Sequence, residues 1–169
     1  MKKSQLAYCI SRVFLVAAIG LTSTAATAKD LTHRMGLGFK NNTSQSIPSL
    51  AAVYYYSKEL AFTGGVGLDT RKNNSAMQLN AGARKMIYFE TNLNFYVGGQ
   101  LGIINYETPA DGKNTGFEVL GLFGTEFFFA GLENLGFTAE AGVGLSTAKE
   151  TRLRTTADDP LRAGIIFYF

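Results

Sequence analysis

The last ten residues of the chain, 160–169, alternate strictly between two kinds of position. The odd positions are all apolar: Leu161, Ala163, Ile165, Phe167 and Phe169. The even positions carry the charge and the glycine: Arg162, Gly164, Ile166 and Tyr168. Because neighbouring side chains of a β-strand point to opposite faces, this pattern predicts a strand with one wholly apolar face. An aromatic end without a polar tail favours a closed barrel, in which the last strand pairs with the first and leaves no exposed edge.

Similar alternating segments recur along the chain, separated by polar or glycine-rich turns. They cover roughly 32–40, 47–56, 60–68, 77–84, 93–103, 116–129, 137–145 and 160–169. Spacing of this kind is typical of antiparallel barrels. The sequence therefore predicts an all-β fold, an eight-stranded antiparallel up-and-down transmembrane β-barrel.

The distribution of charge separates a membrane barrel from a soluble one. A lipocalin-like barrel would point its apolar side chains inward and its polar ones toward water. Here the charged residues and most strand glycines share the face opposite the bulky apolar row. Small residues suit the crowded interior of a narrow barrel and large apolar ones suit lipid, so this inverted pattern favours insertion in a membrane.

The predicted connections differ in length. Short turns are expected near Ser57, Glu90 and Ala130. Longer loops are expected near Asn41, Asp69, Glu107 and Ser146. Because bacterial barrels have short periplasmic turns and longer external loops, this alternation predicts that both termini are periplasmic.

The first 28 residues have the features of a cleaved secretory signal peptide. Basic residues precede a short apolar run, and Ala26-Thr-Ala28 is a small-residue cleavage site. We expect residues 29–169 to form the barrel domain. The 16 basic residues of the chain include Lys2, Lys3 and Arg12, so 13 remain and balance the 13 acidic ones. Nucleic-acid binding is therefore not expected.

The pattern resembles the small eight-stranded outer-membrane barrels, such as the OmpX-like proteins and the membrane domain of OmpA. The residues that look like the C-terminal signal read by the outer-membrane insertion machinery are Arg162, Gly164, Phe167 and Phe169. The resemblance implies a location in the bacterial outer membrane, after export through the inner membrane. It also implies contact with outer-membrane lipids and lipopolysaccharide, and we expect a monomer. Barrels of this group have different activities, so the resemblance leaves the function open.

Catalysis and cofactor binding find little support in the residues. The lone histidine, His33, lies at the start of the first segment. A lipid-modifying site at the outer leaflet would need it roughly 20 Å higher along the strand, beyond reach of an external serine. The lone cysteine, Cys9, falls in the predicted leader, so no metal site or cofactor is expected. The sequence predicts a protein that is not an enzyme.

Inward charges suggest how the lumen is filled. We hypothesise one ion-pair cluster of Arg34, Arg84, Glu126 and Glu140, with Glu118 and Arg162 as a second pair above it. Such a plug favours a structural, envelope or surface-interaction role over the alternative, a narrow or gated channel for small or hydrophobic solutes. Three basic residues of the longest loop are candidate contacts for lipopolysaccharide phosphates: Lys149, Arg152 and Arg154. Because Glu150, Asp158 and Asp159 nearly cancel their charge, the alternative is a solvated loop of mixed charge.

Overall fold

The computed structural model describes residues 29–41, 47–72, 74–109, 112–148, 151–155 and 162–169. Within these residues the chain forms nine strands and no helix. They are β1 (Met35–Asn41), β2 (Pro48–Tyr55), β3 (Leu60–Arg71), β4 (Asn74–Glu90), β5 (Leu93–Thr108), β6 (Gly112–Phe128), β7 (Leu135–Ser146), β8 (Arg152–Thr155) and β9 (Arg162–Tyr168). The predicted leader and Lys149 lie outside the described residues. No helix long and apolar enough to span a membrane occurs in the described ranges.

The strands close into an eight-stranded antiparallel barrel, as predicted. Each strand from β1 to β7 pairs with the next along the chain, and β9 pairs with both β7 and β1. The backbones of Met35 and Phe169 exchange two hydrogen bonds at this seam. The ladder is therefore continuous around the barrel, and it satisfies the backbone groups of the first and last strands.

β8 and β9 together occupy the eighth position of the barrel. β9 pairs with the first half of β7, where Arg162 faces Glu140, and β8 pairs with the second half, where Thr155 faces Val143. Two residues of β7, Ala141 and Gly142, lie between these two pairings. The longer loop expected near Ser146 is interrupted, because residues 152–155 return to the sheet.

Strand register places the two sequence faces as predicted. Glu126 pairs with Thr138, and Gly124 pairs with Glu140. The outward row exposes large apolar side chains on nearly every strand. Among them are Leu37, Phe39, Leu50, Phe62, Leu68, Leu79, Leu101, Phe117, Val119, Phe123, Val143, Ile165 and Phe167. The interior instead buries polar and charged side chains, so the fold has the inverted arrangement that the alternation predicts.

The predicted difference in loop length is wrong for two connections. β3 and β4 are joined by two residues, and β5 and β6 by three. Residues expected to form loops continue the ladder instead, as in the Glu107–Lys113 pair, because their polar side chains alternate without interrupting backbone pairing. Gly112 ends the second hairpin with a φ of 67°, a left-handed conformation that glycine adopts without strain. Orientation in a membrane therefore cannot rest on turn length.

We call one end of the barrel the terminal rim. There β1 begins, β9 ends, and the β2–β3, β4–β5 and β6–β7 connections turn the chain. The opposite rim, the far rim, carries the β3–β4 and β5–β6 hairpins. Leu31 folds under the terminal rim, is 1 % exposed, and packs into a buried apolar cluster. This cluster contains Val53, Tyr55, Ala61, Met86, Tyr96, Phe128, Ile166 and Tyr168. The apolar core thus fills the end of the barrel and supports the polar side chains above it.

A β-bulge in β4 was not predicted. Met86 pairs with Tyr96 and Tyr88 pairs with Phe95, which leaves Ile87 as the extra residue. Met86 is buried, whereas Ile87 and Tyr88 are both exposed. The bulge turns Tyr88 to the outer surface and leaves Met86 in the core.

Candidate functional site in the barrel interior

Arg84 of β4 is the centre of a buried polar group that we call the arginine layer. Its Nη2 donates to both carboxylate oxygens of Glu126, at 3.1 and 3.2 Å. The same nitrogen also contacts the hydroxyls of Tyr55 and Tyr168, at 3.1 and 3.0 Å. Both tyrosines in turn donate to Glu126. The carboxylate is fully buried, and a cation and two hydroxyls surround it.

Aromatic rings hold the guanidinium of Arg84 in place. The guanidinium carbon lies 4.7 Å from the centroid of Tyr96 and 5.3 Å from that of Tyr55. Cation–π attraction of this kind strengthens when water is excluded, and Arg84 is 2 % exposed. The cation is therefore fixed by rings as well as by hydrogen bonds, and its position does not depend on Glu126 alone.

Glu140 of β7 is the centre of a second group, the glutamate layer, nearer the far rim. It accepts a hydrogen bond from Lys40 and another, at 2.6 Å, from the hydroxyl of Tyr96. Arg162 Nε lies 3.7 Å from its other oxygen. Arg162 Nη1 donates to Gln100 Oε1 at 3.1 Å. Two cations thus share one carboxylate in this layer.

Glycines make room for the glutamate layer. A Cβ on Gly124 would lie 2.7 Å from Glu140 Cγ and 2.9 Å from Tyr96 Cζ. A Cβ on Gly164 would lie 3.1 Å from Lys40 Cγ, in the path of that side chain. Real Cβ atoms do not approach so closely without displacing a neighbour. The glycines that the sequence places on the inward face are therefore part of the site.

Glu118 lies in a third layer, nearer still to the far rim. It is buried and accepts a hydrogen bond of 3.0 Å from Gln78 Nε2. The hypothesised pairing of Glu118 with Arg162 is corrected by this arrangement, because Arg162 faces Glu140 across the β7–β9 ladder. Glu118 of β6 pairs with Ser146 of β7, and Ser146 lies six residues beyond Glu140 along β7.

Arg34 does not join the charged cluster that the sequence predicted. It lies at the terminal rim, where its Nη2 donates to Asn134 Oδ1 at 3.0 Å and approaches Tyr168 O at 3.5 Å. Lys40, six residues along the same inward face of β1, takes the predicted place beside Glu140. The reason is geometric, because six residues of strand span about 20 Å.

Sequence reasoning missed Lys40 and the tyrosine hydroxyls as members of the site. The signal that could have found them is the inward phase of each strand, which includes Lys40, Tyr55, Tyr96 and Tyr168. A charged cluster inside a narrow barrel needs hydroxyl donors for the remaining lone pairs of its carboxylates. Tyrosine can supply them from a distance because its hydroxyl stands at the end of a long, rigid side chain.

The residues expected to act at the surface are dispersed. Phe167 and Phe169 are exposed on the outer face at the terminal rim, while Arg162 and Gly164 face inward on the same strand. Arg152 is exposed on β8, and Arg154 lies opposite Gly144 in the ladder. The structure therefore places the aromatic end of the C-terminal motif and the basic residues of β8 toward opposite rims.

The arrangement pairs buried carboxylates with buried cations and hydroxyls. Its carboxylates are held by cations and hydroxyls, and the described residues contain no group of three or more histidine, cysteine, aspartate or glutamate side chains able to hold a metal ion. Side chains from β2, β4, β6 and β9 meet in the arginine layer. The layer consequently crosses the lumen from several sides.

Comparison with known proteins supports the fold. No family model matches the chain, and no curated protein matches it. Among solved structures it is similar to the N-terminal β-barrel domain of Pseudomonas aeruginosa OprF, with a TM-score of 0.61 and 14 % sequence identity. The match covers 83 % of this chain and 100 % of that one. The chain has the fold of that eight-stranded barrel.

Proposed function

We propose that this protein is an integral β-barrel of the bacterial outer membrane with a structural or surface-interaction role. The observation that carries the proposal is the inversion of the barrel, with large apolar side chains outside and paired charges inside. A soluble protein rarely exposes a contiguous apolar surface of this extent. Contact with the lipid of a membrane stabilises such a surface.

The height of the apolar surface fits a bilayer. On β5 the outward apolar row runs from Leu93 to Ile103, and Asn105 follows on the same face. Ten residues of strand span about 33 Å, or about 25 Å along the axis at a tilt of about 40°. This agrees with the apolar band of outer-membrane barrels, which is about 25 Å tall.

Aromatic rings on the outer surface are grouped near the terminal rim. Phe127 stacks on Phe137 at 5.3 Å, and Phe129 packs edge-on against both rings. Tyr88 with Phe95 forms a similar pair on the neighbouring surface, near the β4–β5 turn. Such rings are favoured at the boundary between lipid and water. They support a membrane boundary at this rim.

The polar hairpins of the far rim support an orientation. β3 to β6 extend beyond the apolar band with exposed polar pairs, such as Arg71 with Asp69 and Asn105 with Thr115. We place this rim outside the cell, with both termini in the periplasm. Arg152 and Arg154 of β8 would then lie on the outer side, as candidate contacts for lipopolysaccharide phosphates.

A closed lumen supports a structural role over transport. An eight-stranded barrel encloses only enough space for side chains, and the arginine layer occupies that space. The alternative is a narrow or gated channel, which the polar character of the interior favours. A lipid-modifying enzyme has less support, because His33 is exposed at the terminal rim. We further propose that the protein is a monomer and that the outer-membrane insertion machinery assembles it.

Two measurements test the proposal. Protein folded in detergent should migrate differently on gels before and after boiling and should show a β-strand circular dichroism spectrum. Single cysteines in place of Lys58 and Lys113 should then be compared by labelling whole cells with an impermeant reagent. We expect labelling at 113 and not at 58. Labelling at 58 and not at 113 would reverse the proposed orientation. Recovery of the parent protein in the soluble fraction of the cells would contradict the membrane location.

A further inference from the structure

A groove crosses the outer face of the barrel where β1, β9 and β7 lie side by side. Its volume is about 800 Å³, within the range of about 300–1,000 Å³ that is usual for ligand pockets. Large apolar side chains form much of its lining, among them Phe39, Phe137 and Phe167. Ala139 and Ala163 also line it, and they pair with each other across the β7–β9 ladder. The outer surface is therefore lower at the alanine pair than at the aromatic residues around it.

This apolar groove continues at the terminal rim into a second pocket, the rim pocket, of about 490 Å³. Leu135 and Phe167 line both of them. The rim pocket also includes the β6–β7 connection from Gly131 to Asn134. Four residues of β7 separate Leu135 from Ala139, so the groove extends about 13 Å along the strand from the rim pocket. The two together have an apolar length and a polar end.

The rim pocket carries negative charge. Among the described residues that line it, only Glu133 has a charged side chain. That side chain is 80 % exposed, and its ion pair with Lys29 Nζ is long, at 3.9 Å. An exposed pair of this kind contributes little, so the carboxylate can accept another cation. In the groove, Lys40 is the charged residue among those described, and it already pairs with Glu140 inside the barrel.

We propose that the groove and the rim pocket together bind one phospholipid whose headgroup carries an ammonium, such as phosphatidylethanolamine. One acyl chain occupies the groove, and the ammonium pairs with Glu133. Acyl chains contact the whole outer face of a membrane barrel, but here the groove fixes the position of one chain and the carboxylate selects its headgroup. An anionic headgroup is disfavoured beside Glu133 because like charges repel. The inference rests on the membrane location proposed above.

Retention of lipid by the folded barrel is the first test. Protein refolded in detergent is mixed with equal amounts of phosphatidylethanolamine and phosphatidylglycerol that have the same acyl chains, and retained lipid is identified by native mass spectrometry. We expect one retained lipid, mostly phosphatidylethanolamine. Glu133→Gln should lower the ratio of the two lipids about two- to fivefold, the factor that an exposed ion pair contributes.

Glu59→Gln is the matched control for the headgroup. Glu59 is an exposed glutamate at the β2–β3 connection of the same rim, away from the rim pocket. Its substitution should leave the lipid ratio unchanged. Equal retention of the two lipids by the parent, or the same loss of preference in both variants, would overturn the proposal.

Filling the groove is the second test. Ala163→Phe places a ring in the low part of the groove and should remove the retained lipid, whichever headgroup it carries. Ala81→Phe is the matched control, because Ala81 is exposed on the outer face of β4 and does not line the groove. If Ala163→Phe does not refold, Ala139→Leu replaces it. Retention that survives a filled groove would overturn the proposal.

The same preparations separate failure of this site from failure of the membrane location. A parent barrel that fractionates with membranes and shifts on gels after boiling, but retains neither lipid, would overturn the lipid site and leave the membrane location standing. Recovery of the parent in the soluble fraction of cells would overturn both. Retention of phosphatidylethanolamine that depends on Glu133 and on an open groove would support the site.

Discussion

At the scale of single residues, Arg84 illustrates how a buried charge is stabilised from all sides. Its removal would leave the buried carboxylate of Glu126 with two tyrosine hydroxyls as its remaining partners. Breaking one member of a buried pair costs about 3–5 kcal/mol, because the other charge is stranded. We therefore expect Arg84→Met to lower the free energy of unfolding by about this amount, measured by urea denaturation of the refolded barrel.

Two further variants serve as controls for this measurement. Adding Glu126→Gln to Arg84→Met removes the stranded charge and should recover part of the loss, giving a non-additive double-mutant cycle. Arg34→Met makes the same substitution at the terminal rim, where the side chain is only half-buried. Its effect should be much smaller. Additive effects at positions 84 and 126 would contradict a pairing role.

The inward glycines make a second prediction at this scale. Gly124→Ala would place a methyl group 2.7 Å from Glu140 Cγ, and overpacking of this kind costs about 1–3 kcal/mol. Gly121→Ala, three residues earlier on the outer face of β6, meets its nearest heavy atom at 3.8 Å. Denaturation midpoints should therefore fall for the first variant and stay near the parent value for the second. Equal midpoints would show that the interior can absorb the extra methyl group.

At the scale of elements, alternation predicted the strands and their faces but not their ends. The inward phase of the eight predicted strands follows from the period of two, which places the charged residues and the apolar row on opposite faces. The sequence predicts loops where the structure has the extended hairpins of the far rim, because polar residues such as Asn105 and Thr115 are compatible with a loop or a strand. Backbone pairing does not need an apolar face, so hydropathy cannot locate where it stops.

Two further elements depended on information that a local pattern lacks. β8 is four residues long and is held by its pairing with β7, and only Leu153 of its residues is apolar, so alternation does not indicate a strand there. The bulge at Ile87 is one added residue in an otherwise regular strand, and it becomes visible only when β4 is aligned with β5. Both features are properties of pairing between strands rather than of one strand.

The closing strand gives the prediction that belongs to this scale. The Phe169 side chain is 57 % exposed on the outer face, while its backbone completes the seam with Met35. Phe169→Ser keeps that backbone and removes little buried area, so refolding in detergent should be nearly unchanged. Assembly in cells should nevertheless fall strongly if the residue is part of an insertion signal.

Phe62→Ser is the matched control for this comparison. Phe62 is 48 % exposed on the same outer surface, but it lies outside the closing strand. We expect its assembly in cells, read from the heat-modifiable band in membrane fractions, to stay close to the parent. Similar losses for both variants would show that apolar area, rather than a terminal signal, controls assembly.

At the scale of the whole molecule, the barrel combines an apolar exterior with an interior of paired charges in layers. The sequence alone indicated which charged side chains face inward, because the alternation of side chains along each strand decides the face on which each one lies. It did not indicate their partners: Arg34 and Lys40 share a face of β1, and only the depth of each along the barrel decides which one reaches Glu140. Depth depends on the stagger between strands, a property of closure that no single segment encodes.

Closure of the lumen is the last prediction. In the arginine layer, side chains from three strands contact the guanidinium of Arg84 on a fourth, so an ion would have to displace a bonded pair to pass. We expect the parent to show very small conductance in planar bilayers. The double variant Arg84→Ala with Glu126→Ala removes the pair without stranding a charge, and it should conduct measurably. Arg34→Ala with Asn134→Ala removes a bonded pair at the terminal rim and should leave conductance unchanged. A large, steady parent conductance would favour the channel over the structural role, because it would mean that the layer does not fill the lumen.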